Sequence, residues 1–333
     1  MHKKRKYMII IAILAFLSII AYLALWMLTT DYNLFPEDPI KALAMKQAIF
    51  NIIERRSYQV VAMIVAAILI STTTLVFQTL TSNRILTPSL IGFDAIFVTS
   101  QTAIVFFLSE QSLFYSNPYL NFLITASLML VISLIMYRLI IRRNKNNIIF
   151  LLLFGMILST FSRNFANFLQ TIMDPNQFQS IAMQTEVTIS NMNTSIIIMV
   201  VPIMLIVLGF MIKDFKYLDI MSLGESQAIG LGVEYQKKLN VSLIYIAIAM
   251  SISTALIGPI SFLGLIAVNA AREILKTYKH IHLMFMSSLI AIIALVLGQT
   301  IIIETGYLTT VTVLISMFGG LYMIYLVLKE NKK

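Results

Sequence analysis

Few residues in this chain could do chemistry, and those few are poorly placed for catalysis. There is no cysteine, which removes disulfides, thiolate metal sites and cysteine nucleophiles. His280 and His282 form the one close histidine pair. With no third ligand nearby they read as a solvated loop feature rather than a metal site. No G-x-x-x-x-G-K-[ST] phosphate loop occurs, so the chain does not hydrolyse nucleotide by that route. Two charged residues fall inside long apolar stretches, where an ionisable group marks a functional candidate. Asp94 stands at the start of its stretch, as a capping carboxylate would. Arg163 lies well into its stretch, about 22 Å from the start by helical rise, where a cation could attract an anion or snorkel to an interface.

The elements that must carry these residues are membrane helices. The chain has 333 residues, of which 59% are hydrophobic and only 12% charged, with a mean hydropathy of +0.89. Soluble domains carry about 25% charged residues, so most of this surface faces lipid. A crossing needs about 20 apolar residues. Ten stretches qualify, near 7–28, 58–77, 91–109, 118–140, 148–170, 194–212, 239–258, 259–275, 283–303 and 307–328. Leu239 to Ala271 is one uncharged run of about 50 Å as a helix, too long for one crossing. Gly258-Pro259 provides the turn, because proline lacks an N–H and disfavours helix in the residue before it. Pro202 reads as a tolerated kink.

Lysine and arginine orient the spans. The net charge of +9 reports basic loops rather than a nucleic-acid partner. With the N-terminus inside, all basic residues lie on the cytoplasmic side except Lys41, Lys46, Arg55, Arg56 and the buried-span Arg163. Asp31, Glu37, Asp38, Glu54, Glu110, Asp174, Glu186 and Glu304 fall outside. The expected fold is an all-α polytopic membrane protein, a single domain over 1–333 with ten transmembrane helices and both termini cytoplasmic. The N-terminal HKKRK and the apolar run after it are expected to be a retained first span, since the run is too long for a signal peptide.

Two segments carry information beyond hydropathy. The longest cytoplasmic segment, 213–238, reads KDFKYLDIMSLGESQAIGLGVEYQKK. A short helix starting near Gly224 would place Glu225 in its first turn and end at Gly230 or Gly232. Two short amphipathic helices there would form a gripping surface; an ordinary solvated loop is the alternative. The fifth stretch carries Ser159, Ser162, Asn164 and Asn167, which lipid would penalise. They would line a cavity or bond neighbouring helices. The spans are otherwise nearly empty of Asp, Glu and His, which argues against a proton-coupled transporter.

Leu223-Gly224-Glu225-x-x-Ala228-x-x-Leu231-Gly232-Val233 resembles the coupling loop of the permease subunits of ABC importers for iron–siderophores, haem and cobalamin, the FecCD-type family. Gln78, Asn83, Pro88 and Gly92 keep that family's spacing between the second and third spans, with Arg84 where proline is usual. Gly258-Pro259-Ile260-x-Phe262-x-Gly264-Leu265 is similar to its turn into the eighth span, and Gly155 to its glycine in the fifth. Val268-Asn269-Ala270-Ala271-Arg272 departs from the family's P-H-x-x-R, keeping only the arginine. The similarity covers essentially the whole chain. The stretch Leu86 to Asp94 resembles the branch for catecholate-type siderophores, with Asp94 where a small serine is usual.

The resemblance implies a partnership: a second permease chain, identical or not, two cytoplasmic ATPase subunits that use the ATP, and an external binding protein. This chain would bind no cofactor itself and would sit as a multi-pass protein in the bacterial cytoplasmic membrane. The coupling residues would be Leu223, Gly224, Glu225, Ala228 and Gly232, and the cargo path would run along Ser159, Ser162, Arg163, Asn164 and Asn167. Gln78, Asn83, Pro88, Gly92, Gly258 and Pro259 would shape the helix turns. Arg55 and Arg56 resemble the paired arginines that meet glutamates of the binding protein; an interfacial anchor is the other reading. The alternatives are a haem or cobalamin permease, a stand-alone secondary transporter, and a scaffold or sensor lacking a central polar cavity.

Overall fold

The computed structural model describes residues 2–29, 39–143, 148–185, 189, 195–306 and 309–330. Asp31, Glu37, Asp38, Lys145, Glu186, Lys332 and Lys333, used above for orientation, lie outside them. The described residues form thirteen helices and no strand. In order these are α1 (His2–Thr29), α2 (Pro39–Leu80), α3 (Phe93–Leu108), α4 (Leu113–Ser116), α5 (Pro118–Arg143), α6 (Ile148–Thr171), α7 (Pro175–Thr185), α8 (Ser195–Met221), α9 (Glu225–Gly230), α10 (Tyr235–Ile257), α11 (Leu263–Leu275), α12 (His280–Glu304) and α13 (Val311–Glu330). A 3-10 turn, Pro88–Ile91, precedes α3. Each of the ten apolar stretches corresponds to one helix, and α4, α7 and α9 are short additions. Among the described residues, six helices are long and apolar enough to cross a membrane: α1, α2, α5, α8, α10 and α12.

The core forms around α2, which packs chiefly on α12, α10 and α11. Its middle reads Ser71-Thr72-Thr73-Thr74, all four residues 0–1% exposed. Small hydroxyl side chains suit this position because they let helix backbones approach and can return their O–H to the helix itself. The Thr73 hydroxyl donates to the Leu69 carbonyl at 2.7 Å, and the hydroxyls of Ser71 and Ser288 meet at 3.1 Å. Gly264, at the start of α11, sits so close that a Cβ there would fall 2.1 Å from Thr74 Oγ1. A side chain at 264 would push α11 off the core.

The break at Gly258-Pro259 is present. Gly258 has φ 84° and ψ −179°, a region open essentially to glycine alone, and α10 ends there. Two helices exceed the sequence expectation. The 42 residues of α2 span about 63 Å, roughly twice a bilayer core, because the stretch before the apolar span, PIKALAMKQAIFNIIERR, is itself rich in helix formers behind a proline at the first position. Ile40, Leu43 and Phe50 are exposed along that extension. Similarly, α8 runs nine residues past Ile212 and contains Pro202.

Candidate functional site

The coupling segment is shorter than its sequence bounds of 213–238. Residues 213–221 continue α8, because Phe215, Leu218 and Met221 recur at helical spacing and are buried. Residues 235–238 already belong to α10. Between them stands one short helix, α9, rather than two. Gly224 precedes it at φ 104° and Glu225 opens its first turn. Its end is a Schellman motif: Gly232 takes φ 82°, its N–H bonds the Ile229 carbonyl at 2.9 Å, and the Val233 N–H bonds the Ala228 carbonyl at 3.0 Å. Ala228 is fully buried beneath the motif. Leu223, Ile229 and Leu231 point outward, each more than half exposed. Glu225 accepts from the Gln236 side-chain amide at 2.7 Å, which fixes α9 to the foot of α10. The arrangement is a preformed, apolar-tipped knob at the basic end of the bundle.

A buried histidine fixes the end of α8, the helix that leads into that knob. His280 opens α12 and is 2% exposed, so the solvated-loop expectation for the His280-x-His282 pair is corrected for His280. Its backbone N–H donates to Asp219 Oδ1 at 2.8 Å and its ring Nδ1 lies 2.5 Å from the same oxygen. The other ring nitrogen meets Thr79 Oγ1 at 2.8 Å. Asp219 is in the last turn of α8, Thr79 in the last turn of α2. One side chain therefore ties three helix ends together two residues before the loop that carries α9. Sequence reading missed this knot because its members are 61 and 201 positions from His280 and no local pattern links them.

The connection from α2 to α3 is ordered by the residues its spacing singled out. The Gln78 side-chain amide donates to the Arg84 carbonyl at 2.7 Å, and the Asn83 side-chain oxygen accepts from the Ile85 N–H at 2.8 Å. Asn269 of α11 donates to the same Arg84 carbonyl at 2.9 Å. Pro88 starts the 3-10 turn and Gly92, at φ 106°, ends it and begins α3. The turn lies against α6 at Gly155, where a Cβ would come within 2.8 Å of Ile91 Cα.

Asp94 is in the first turn of α3 but does not cap it. Its carboxylate instead accepts from Ser261 Oγ at 2.6 Å, in the turn between α10 and α11. The capping expectation is therefore corrected: the carboxylate bridges to another element.

Helix α6 has two faces. Leu151, Leu152, Gly155, Ser162, Ala166 and Leu169 are buried against the rest of the chain, and the Ser162 carbonyl accepts from Thr99 of α3 at 2.8 Å. Ser162 thus faces inward, apart from the other residues of the expected path. Arg163, Asn164 and Asn167 are exposed and Ser159 is half-buried. They share the outer face with Phe161, Phe165 and Phe168, and Phe161 stacks on Phe165 at 6.3 Å between ring centroids. Toward its start the same face is apolar, with Phe150, Leu153, Phe154 and Ile157 exposed along an open groove. The face is polar at one end and greasy at the other.

The paired arginines separate. Arg55 is exposed, whereas Arg56 is half-buried, donates to the Tyr22 carbonyl at 2.6 Å and lies over the Tyr22 ring at 5.2 Å. The Tyr22 hydroxyl in turn donates to Gln59 at 2.6 Å, so Arg56 helps bind α1 to α2.

Known proteins place this geometry. The model of the FecCD transport family matches residues 9–329. The petrobactin import system permease protein YclO of Bacillus subtilis (strain 168) is 41% identical over 279 residues, 84% of this chain and 89% of that one. The petrobactin import system permease protein FatC of Bacillus anthracis is 31% identical over 281 residues, 84% of this chain and 79% of that one. A solved chain described as an inward-facing conformation of a metal-chelate type ABC transporter superposes with TM-score 0.80 at 18% identity, over 98% of this chain and 99% of that chain, and so shares the fold. With the family model spanning nearly the whole chain and relatives of 41% and 31% identity covering 84% of it, this chain belongs to the FecCD transport family.

Proposed function

We propose that the chain is the membrane-embedded permease subunit of an ATP-driven importer that takes up iron–siderophore complexes, of catecholate type, delivered by an external binding protein. It would cross the bacterial plasma membrane ten times, with both termini and α9 in the cytoplasm. The observation that carries this reading is α9: a capped knob with three exposed apolar side chains, following a helix, α8, whose end is pinned by His280, in a chain lacking a phosphate loop of its own. Such a knob suits a groove on a separate ATPase. The relatives named for petrobactin import support a siderophore as cargo.

Two permease chains would meet with their α6 faces toward a shared path, where Arg163, Asn164 and Asn167 would contact cargo and the aromatic residues would pack across the interface. Two ATPase subunits would hold the two α9 knobs, and closing on ATP would move them. Arg55 would meet the binding protein; Arg56, committed to Tyr22, would hold the helix that presents it.

The test is uptake of radiolabelled iron, bound to a catecholate siderophore, into proteoliposomes holding the permease pair, with the binding protein outside and the ATPases with ATP inside. Uptake should require every component. Uptake by this chain alone on an ion gradient would make it a secondary transporter, and uptake of haem or cobalamin in preference to the siderophore would reassign the cargo.

A further inference from the structure

Behind the α9 knob, the α2–α3 connection and the α11–α12 connection enclose a cavity of about 830 Å³. Arg84, Arg272 and Lys276 are among the residues lining it, with Glu273 the one carboxylate and Tyr278 and Leu326 also on its wall. His280 also borders the space, but its ring is engaged by Asp219 and Thr79.

Two details go beyond a basic loop. Arg272 Nε is buried with no hydrogen-bond partner among the described residues, and a buried donor left unpaired is costly. Lys276 closes α11 in the left-handed conformation, φ 46° and ψ 52°, at the kind of position where helices ordinarily place glycine. A cation is thus kept at a site where it strains the backbone. Satisfying the end of the α11 dipole explains a cation in the last turn. It does not explain an unpaired guanidinium nitrogen, nor a second arginine, from the α2–α3 connection, brought to the same space.

We propose that this cavity binds a phosphate group, held by the guanidinium groups of Arg84 and Arg272 and by the Lys276 ammonium. Arginine forks match phosphate oxygens in pairs. The first source is the headgroup of an anionic phospholipid. Leu326 belongs to α13, whose Phe318, Leu321, Ile324 and Leu328 are exposed and offer acyl chains a path from the headgroup into the bilayer. Free phosphate shares the chemistry but uses none of that apolar wall. The lipid reading rests on the cytoplasmic placement of this end proposed above, where anionic lipid and juxtamembrane basic residues meet.

The assembled transporter, reconstituted in phosphatidylcholine nanodiscs with or without phosphatidylglycerol, is released into native mass spectrometry and its retained lipids are counted. Wild type should retain phosphatidylglycerol, and the Arg84→Gln/Arg272→Gln double variant should need about tenfold more of it for equal retention. Lys276→Gly is the decisive companion, because it removes the cation and relieves the left-handed strain. It should melt no lower than wild type and yet retain less phosphatidylglycerol. Competition by inorganic phosphate would identify free phosphate as the occupant. Unchanged lipid retention in both variants without phosphate competition overturns the proposal. So does loss of the ATPase subunit from the double variant with lipid retention intact, which would make the cavity a protein contact. Lipid retention requires no import, so its failure is distinguishable from failure of the transport assignment, which the uptake assay reads.

Discussion

The α9 end and the outer face of α6 are built on opposite principles. At the α9 end the knob and the helix ends around it are held by bonds within the chain: the Schellman carbonyls, Glu225 by Gln236, Asp219 by His280, and the Arg84 carbonyl by both Gln78 and Asn269, with Arg272 Nε the exception. Along α6, by contrast, Arg163, Asn164, Asn167 and five phenylalanines stand exposed on one side of a helix whose other side is tightly packed. An element that passes force should be rigid in isolation. An element that meets cargo or a second chain is completed from outside. On the function proposed above, the contrast would separate transmission from recognition within one bundle.

The largest effect should come from the transmitting end. Glu225→Arg replaces the carboxylate in the first turn of α9 with a charge the helix dipole opposes and breaks the bond to Gln236. ATP hydrolysis stimulated by loaded binding protein should fall by more than about tenfold, while the binding protein's own affinity for cargo is unaltered. Unimpaired transport would remove α9 from the coupling role.

His280→Ala should come next. It removes the ring that joins Asp219 to Thr79, leaving Asp219 the backbone N–H of residue 280 and Thr79 the Leu75 carbonyl, and should cost about 1–3 kcal/mol as a lowered melting temperature of the purified complex. If the knot transmits motion as well as holding helices, ATP hydrolysis in that variant should continue at temperatures below melting while uptake drops. Equal loss of both would reduce His280 to a structural pin.

On the recognition side, Arg163→Gln should leave melting unchanged, because the residue is exposed, and raise the half-saturating concentration for an anionic ferric chelate by about tenfold, or about 1.4 kcal/mol. Normal uptake at low cargo would show that Arg163 serves the interface and not the path. The smallest effects should separate Arg55 from Arg56. Arg55→Glu should slow capture of the binding protein and make it less salt-sensitive. Arg56→Glu should mainly lower stability, through the lost bond and ring contact at Tyr22. If both act equally on capture, the two arginines dock as a pair.

The contrast also marks what was legible in the sequence. Helix positions follow from hydropathy, and the ends of α9 from Gly224 and from Gly230 or Gly232, of which Gly232 takes the positive φ. The Gly258 break was readable for the same reason. Ser162 was grouped with Asn164 and Asn167 because all are polar. Which of them faces inward depends on the helix phase set by α3, and the Thr99 bond that fixes it is a tertiary fact. The extension of α2 was hidden by attention to apolar length, since residues 39–57 are good helix formers with a mixed surface. Asp94 and His280 were misjudged in one way: each was assigned to its own neighbourhood in sequence, and each is bonded to a distant element.

The length of α2 has a consequence for communication across the membrane. Arg56, tied to α1, and Thr79, tied to His280, lie on one unbroken helix about 35 Å apart. A rod of this kind has no slack, so whatever tilts one end displaces the other. If nucleotide bound to a partner changes how firmly the outer end of α2 accepts a docked protein, docking must change nucleotide affinity by the same factor. The two faces of the transporter would then converse through its core helix, with the cargo path along α6 free to follow either signal.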